Sequence, residues 1–134
     1  MPHLVILYTP QLDAETDLPA LCRTLADTMI GVKDENGQAV FPVGGVRVLA
    51  YPAAHSAVAD SQRDYAFVYL NLRMARGRSD AAKRNAGDAL AAAVRAHFEP
   101  VLAKRHLGIT LQIDEGGEVF DAKLGNLHPL FNKA

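Results

Sequence analysis

The sequence predicts an α+β domain in which the order β-α-β occurs twice. Three observations support this class. The segment LVILY, residues 4–8, is a continuous apolar run with the length of one strand. Apolar residues recur at helical spacing over residues 18–31, and residues 64–74 alternate between two sets of side chains. A further helical pattern and a last alternating segment complete the second unit.

The first unit begins with a strand at Leu4–Tyr8, followed by the polar, turn-like segment TPQLDAETD. Asp17 is predicted to cap the first helix, because an aspartate at this position accepts hydrogen bonds from unpaired N–H groups of the first turn. Asn36-Gly37, within KDENGQ, is a turn signal, and a second strand is predicted at Val46–Tyr51. The apolar helical positions are Leu18, Leu21, Cys22, Leu25, Met29 and Ile30.

The second unit follows the same plan with longer elements. A strand is predicted at Asp64–Met74, and Ser79 is the predicted cap of the second helix. Pro100 should kink or end that helix, since proline removes an internal hydrogen bond. A fourth strand is predicted at Ile109–Ile113, with one face near water. The predicted inner stripe of the second helix is Ala82, Ala86, Leu90, Ala93, Val94 and Phe98, with His97 at its edge.

Length and internal similarity indicate one domain over residues 1–134, with a pseudo-repeat of residues 1–60 and 61–116. Residues 117–134 form a tail whose apolar segment GNLHPLF is expected to dock on its own sheet or on a neighbouring subunit. Two folds share this element order: the ferredoxin-like split arrangement, and two βαβ units placed side by side. Periodicity alone leaves both open.

Composition argues for a soluble, cytoplasmic protein that binds neither nucleic acid nor membranes. Hydrophobic residues make up 49% of the chain and charged residues 22%, and the net charge is −1 with dispersed basic residues. No segment is typical of a signal peptide or a membrane span. Cys22 is interpreted as a small core residue, and the five histidines share no metal-ligand spacing, so no metal is expected.

Arginines provide the candidate anion-binding groups. Arg47 lies within an apolar strand pattern next to two glycines, and a guanidinium offers a planar fork of donors to a carboxylate or phosphate. Arg73, Arg76 and Arg78 cluster before the second helix, whose N-terminus also favours anions. A solvated basic turn is the alternative interpretation for Arg73 and Arg76. No phosphate-binding glycine loop, G-x-S-x-G elbow or close carboxylate pair is present.

Pro2 is the candidate base. Removal of Met1, which a small second residue permits, would expose a secondary amine on a rigid ring. An ordinary α-amino group has a pKa of about 7.7–8.0. Burial beside apolar side chains and arginines would lower that pKa and produce a general base suited to neutral pH. His3, beside it, is predicted to be a packed or exposed edge residue unless it contacts the substrate.

Several blocks, in order along nearly the whole chain, carry a family resemblance. MPH before an apolar strand, DLPAL, FPVGGVRV, DYAFVYLNLRMARGRS and GNLHPLF resemble the 5-carboxymethyl-2-hydroxymuconate isomerase family of the tautomerase superfamily, whose members use an amino-terminal proline. The resemblance implies two side-by-side βαβ units assembled as a homotrimer. The KDENGQ segment departs from it, because the loop is longer than the family usually carries there.

The resemblance also implies a cofactor-free isomerase that converts 5-carboxymethyl-2-hydroxymuconate to its conjugated 2-oxo isomer in homoprotocatechuate (4-hydroxyphenylacetate) degradation. Pro2 would be the catalytic base. Arg47 would stabilise developing negative charge, and Arg47, Arg78 and His3 would bind the carboxylate substrate.

Two other functions are compatible with the same residues. One is a tautomerase acting on a smaller dicarboxylate such as 2-hydroxymuconate, which would need fewer cationic partners. The other is a non-catalytic ferredoxin-like module that binds small anions or a protein. That module would hold Pro2 far from Arg47 and Arg78.

Overall fold

A computed structural model describes residues 2–131 and contains the two predicted β-α-β units. The first unit consists of β1 (His3–Tyr8), α1 (Leu18–Gly31) and β2 (Arg47–Pro52). The second consists of β3 (Ala66–Met74), α2 (Asp80–Leu102) and β4 (Leu107–Glu115). Short 3-10 turns lie at Pro10–Ala14, Val43–Gly45 and His128–Leu130.

The four strands form one mixed sheet in the order β2-β1-β3-β4. β1 is parallel to β2, β3 is parallel to β4, and the two units meet where β1 pairs antiparallel with β3. The strands of each unit are therefore direct neighbours, with no strand inserted between them. The prediction of two side-by-side βαβ units is confirmed, and the ferredoxin-like alternative is wrong.

Alternation along the strands separates a covered face from an open face of the sheet. On β1, Leu4 and Ile6 are fully buried and pack in the core with side chains from both helices. Burying a side chain of this size contributes about 1.5–3 kcal/mol. The helices supply Leu18, Leu21, Leu25, Met29, Ala82, Ala86, Leu90, Val94 and Phe98 to the buried set. The predicted stripes are thus confirmed, except that Cys22, Ile30 and Ala93 are only partly buried.

Both predicted helix caps are present. The Asp17 carboxylate accepts a hydrogen bond from the Ala20 N–H at 2.9 Å, and the Ser79 hydroxyl accepts one from the Ala82 N–H at 3.1 Å. The first helix has the predicted bounds. The second continues past Pro100 and ends at Leu102, where proline's missing hydrogen bond affects only the last turn.

Strand boundaries differ from the predicted ones for reasons of pairing. β3 begins at Ala66 rather than at Asp64, whose carboxylate and carbonyl oxygens instead accept hydrogen bonds from Arg105. β4 extends beyond 109–113 because each of its nine residues pairs with a residue of β3. β2 is shifted by one residue, to Arg47–Pro52, since its pairing with β1 starts at the Arg47–His3 position.

The KDENGQ segment, residues 33–38, forms the predicted turn. The Asp34 carboxylate accepts hydrogen bonds from the Asn36 N–H at 2.8 Å and the Gln38 N–H at 2.9 Å. Gly37 adopts the positive φ, +76°, that the turn needs. The Ser79 hydroxyl donates to the Glu35 carboxylate at 2.9 Å. The loop therefore rests against the start of α2.

The tail returns across the end of the sheet. The Gly116 N–H donates to the Met74 carbonyl at 2.8 Å, and the 3-10 turn at His128–Leu130 then reaches the Val43–Gly45 turn. A Cβ added to Gly44 would lie 3.0 Å from the His128 Cα, so only glycine fits there without displacing the tail. Residues 132–134 of the expected docking tail, and Met1, lie outside the described residues.

Candidate active site

Three strands place a row of chemically active side chains at one end of the open face. His3 opens β1, pairs with Arg47 at the start of β2, and pairs on its other side with Arg73 near the end of β3. Residues paired across neighbouring strands project to the same side of a sheet. His3 therefore lies between two arginines.

A cavity of about 420 Å³ covers this row. Strand residues form one side of it, namely His3, Arg47, Arg73, Met74 and the following Ala75. The tail forms the other side through Glu118, residues 121–125, Leu127 and His128. The cavity thus lies between the sheet and the last part of the chain.

Pro2 lies at the entrance to β1. It is buried, and its carbonyl accepts a hydrogen bond from the Arg47 N–H at 3.3 Å. The backbone thereby holds Pro2 beside Arg47. Among the described residues that line the cavity, His3 and Arg47 are present, whereas Pro2 and Arg78 are not. Because Met1 lies outside the described residues, its removal stays a prediction.

The Arg47 guanidinium is fixed by backbone carbonyls at the cavity edge. Its Nη1 donates to the Gly44 carbonyl at 2.6 Å and to the Val46 carbonyl at 3.1 Å. A guanidinium has five N–H donors, so this arrangement leaves donors for an anionic ligand. The double glycine before β2 thus supplies a positioning acceptor for the arginine.

Arg73 contacts the tail side of the cavity. Its Nη2 lies 3.5 Å from the Glu118 carboxylate. The pKa of Glu118 is lowered, first by a hydrogen bond from its own backbone and then by the nearby Arg73 charge. A second ion pair, Lys123 with Asp121, lies on the same wall. The cavity therefore contains several cationic groups, some matched by carboxylates.

Arg78 lies behind the cavity rather than in it. Its guanidinium donates to the Val40 carbonyl at 3.3 Å and to the Ala75 carbonyl at 3.1 Å, and it stacks 5.0 Å from the Phe41 ring centre. Removal from water lowers the pKa of this arginine. Its hydrogen bond to Ala75 connects it to a residue that lines the cavity.

Two other titratable residues lie elsewhere. The His97 ring is within 2.8 Å of the Thr16 hydroxyl and meets the Phe98 ring edge-on at 4.9 Å. It is packed near the first helix, as its place beside the helical stripe predicted. Cys22 is half-buried against the core, and burial raises the pKa of its thiol. The thiol therefore remains protonated near neutral pH.

Within residues 2–131, no group of three or more His, Cys, Asp and Glu side chains is arranged to hold a metal ion. No helix in the same part of the chain has the length and hydropathy needed to cross a bilayer.

Comparison with known proteins gives consistent results along the chain. The sequence profile of the 5-carboxymethyl-2-hydroxymuconate isomerase family matches residues 2–131. A crystal structure of a 5-carboxymethyl-2-hydroxymuconate delta-isomerase is 55% identical, with a TM-score of 0.95, over 100% of this chain and 95% of that one. A 5-carboxymethyl-2-hydroxymuconate isomerase structure from Deinococcus radiodurans R1 is 36% identical, with a TM-score of 0.87, covering 98% and 95%.

A curated Escherichia coli protein, 5-carboxymethyl-2-hydroxymuconate Delta-isomerase, is 29% identical over 131 residues. The alignment covers 98% of this chain and 99% of the relative. The aligned region therefore includes the sheet, both helices and the tail that lines the cavity.

Proposed function

This chain belongs to the 5-carboxymethyl-2-hydroxymuconate isomerase family, and on that premise we propose that it isomerises 5-carboxymethyl-2-hydroxymuconate to the conjugated 2-oxo isomer. The observation that carries the proposal is the row of His3 between Arg47 and Arg73, enclosed by the tail and adjoining Pro2. Such a site suits a small polyanion, because guanidinium groups bind carboxylates through paired hydrogen bonds.

The reaction moves one proton and changes no oxidation state. The 2-hydroxyl loses its proton, the oxygen becomes a carbonyl, and the shifted electron pair takes up a proton at carbon. A single positioned base can perform both transfers, so the proposal includes no cofactor.

Pro2 is the proposed base. With Met1 removed, its nitrogen is a secondary amine beside Arg47, and both burial and the neighbouring positive charge favour the neutral amine. The hydrogen bond between the Arg47 N–H and the Pro2 carbonyl supports this placement, since it fixes the chain end relative to the anion-binding strand.

Arg47 is proposed to stabilise negative charge on the 2-oxygen and to bind a carboxylate. His3 is proposed to contact the substrate from the cavity floor. Arg78 is proposed as a further substrate-binding residue on the basis of the family resemblance. Its contact with the Ala75 carbonyl supports a position adjoining the cavity.

A homotrimer is proposed from the family resemblance, and exposed apolar side chains on the open face of the sheet support a subunit interface there. Leu7, Leu49 and Tyr51 are 46%, 46% and 49% exposed on paired or neighbouring strands. A contiguous apolar surface of this kind is typical of a subunit interface. The place of the reaction in homoprotocatechuate degradation is proposed from the resemblance alone, and the cytoplasmic location from the composition of the chain.

Turnover of 5-carboxymethyl-2-hydroxymuconate, followed by ultraviolet absorbance on protein whose amino terminus is verified by mass spectrometry, tests the proposal. We expect isomerisation by protein that starts at Pro2. Pro2→Ala should lower the rate strongly, although its primary amine retains some activity. Pro10→Ala, at an exposed proline on a 3-10 turn, is the control and should be unchanged. Absence of turnover by the folded wild type would overturn the assignment.

A further inference from the structure

Arg73 lies in the cavity but has no part in the reaction described so far. We propose that Arg73 binds the third carboxylate of the substrate and thereby makes the site selective for a tricarboxylate over a dicarboxylate. Glu118, on the tail, is the group that this carboxylate displaces. The inference rests on the proposed function and deepens it.

The sheet register separates Arg73 from Arg47 by one intervening strand. Both residues pair with His3, one on each side, and both line the cavity. Because neighbouring strands are about 4.8 Å apart, the two arginine backbones are about 10 Å apart. That spacing allows them to bind separate carboxylates of one extended molecule rather than to share one.

Arg73 is available for such a ligand. Asp114 is its paired neighbour on β4, but the Asp114 carboxylate accepts a hydrogen bond from the Asn71 amide at 2.9 Å. The contact to Glu118 is long, at 3.5 Å, between side chains that are 45% and 47% exposed. An ion pair this exposed contributes little to stability, so a substrate carboxylate can replace Glu118 at low cost.

Two other arginines near the site, Arg47 and Arg78, use part of their donors within the chain. Arg47 donates to two backbone carbonyls, and Arg78 donates to two others while it covers the Phe41 ring. Three carboxylates need more cationic donors than these two residues can offer while they keep those bonds. Arg73 supplies the additional guanidinium from a third strand.

Arg73→Gln is the variant that tests this, with Arg84→Gln on the exposed side of α2 as the matched control. The kinetic assay compares kcat/KM for 5-carboxymethyl-2-hydroxymuconate and for 2-hydroxymuconate, which lacks the carboxymethyl group. We expect Arg73→Gln to lower the value for the tricarboxylate by about 10- to 100-fold and that for the dicarboxylate by less than about threefold. Arg84→Gln should change neither.

A binding assay provides a readout that does not depend on turnover. Calorimetry with the wild type should show tighter binding of propane-1,2,3-tricarboxylate than of glutarate. Arg73→Gln should weaken the affinity for the tricarboxylate about tenfold or more and leave the affinity for glutarate unchanged. Glu118→Gln removes the competing carboxylate and should tighten tricarboxylate binding by about two- to fivefold.

The two assays separate failure of this inference from failure of the proposed function. If the wild type isomerises the tricarboxylate and Arg73→Gln affects both acids equally or neither, Arg73 does not confer selectivity. If the wild type turns over neither muconate but the calorimetric preference is present and lost in Arg73→Gln, the proposed reaction is wrong and the binding role stands. Absence of both turnover and preference would overturn both.

Discussion

The Arg47 side chain both hydrogen-bonds to the backbone and lines the cavity. Its bonds to the Gly44 and Val46 carbonyls fix the plane of the group. A carboxylate binds more favourably to a fixed guanidinium than to a flexible lysine ammonium, because less side-chain conformational entropy is lost on binding.

We therefore expect Arg47→Lys to remain folded yet to lose about 100-fold in kcat, although the charge is kept. The magnitude is that of removing one preorganised donor from a site where negative charge develops. Steady-state kinetics with circular dichroism as the folding check measure this. A kcat within about threefold of wild type would show that charge alone suffices and that the fixed geometry contributes little.

Sequence patterns located some of these residues and not others. Arg47 could be selected because a charge inside an apolar strand pattern is unusual, and Pro2 because of its place behind Met1. Arg73 was assigned more readily to a solvated turn. Its position in the cavity depends on the β1–β3 register, which brings residues 3 and 73 together. The antiparallel register cannot be read from alternation within one strand.

The second helix carries a histidine that links stability to pH. Burial lowers the pKa of His97 below its ordinary value of 6.5, and the charge of Asp17 opposes this only in part. The unfolded chain therefore binds this proton more readily than the folded chain does. The stability that the neutral His97 ring contributes is therefore fully present at pH values above the ordinary histidine pKa of 6.5. It is lost as the pH falls below 6.5.

We expect the free energy of unfolding to fall more between pH 7.5 and pH 5.5 in the wild type than in His97→Gln. Urea denaturation at the two pH values measures the difference. His55→Gln, at an exposed position, is the control and should keep the wild-type pH dependence. Equal pH dependence in wild type and His97→Gln would contradict the expectation.

The tail and the Val43–Gly45 turn meet at a contact that tolerates only glycine. An added Cβ at Gly44 would lie 3.0 Å from the His128 backbone and 3.2 Å from the Phe131 ring. Gly44→Ala should therefore displace the tail wall of the cavity, raise KM severalfold and speed tryptic cleavage after the exposed Lys123.

Gly31→Ala is the control for this prediction, because an added methyl at Gly31 meets nothing within 4 Å. It should leave KM and proteolysis unchanged and stabilise α1 slightly, since alanine favours the helix. If Gly44→Ala were cleaved at the wild-type rate, the tail contact would not hold the wall in place.

At the scale of the whole molecule, the open face of the sheet carries exposed apolar side chains on β1 and β2. We expect the wild-type chain to sediment as a trimer, and Leu49→Glu to dissociate it, because a charge would be buried in the interface formed by the open face. Leu102→Glu, at a similarly exposed leucine at the end of α2, should leave the trimer intact. A monomeric wild type would contradict the trimer, and identical behaviour of both variants would contradict the assignment of the open face to its interface.

Element order was predictable from periodicity, whereas strand order was not. The helical stripe at 18–31 identified α1, and the alternation at 64–74 identified all of β3 with two additional residues before it. The choice between a split and a side-by-side arrangement depends on which strands pair, and both arrangements bury the same apolar residues. Family resemblance, rather than local pattern, favoured the arrangement that the sheet adopts.

The central claim is that a free Pro2 nitrogen performs the proton transfer. The direct test is the initial rate of 5-carboxymethyl-2-hydroxymuconate isomerisation by protein starting at Pro2, compared with protein carrying one alanine before it. The extra residue turns the Pro2 nitrogen into an amide and leaves all other side chains unchanged. We expect the extended protein to be at least about 100-fold slower, the contribution typical of a positioned base. Equal rates, with both masses verified, would show that Pro2 is not the base.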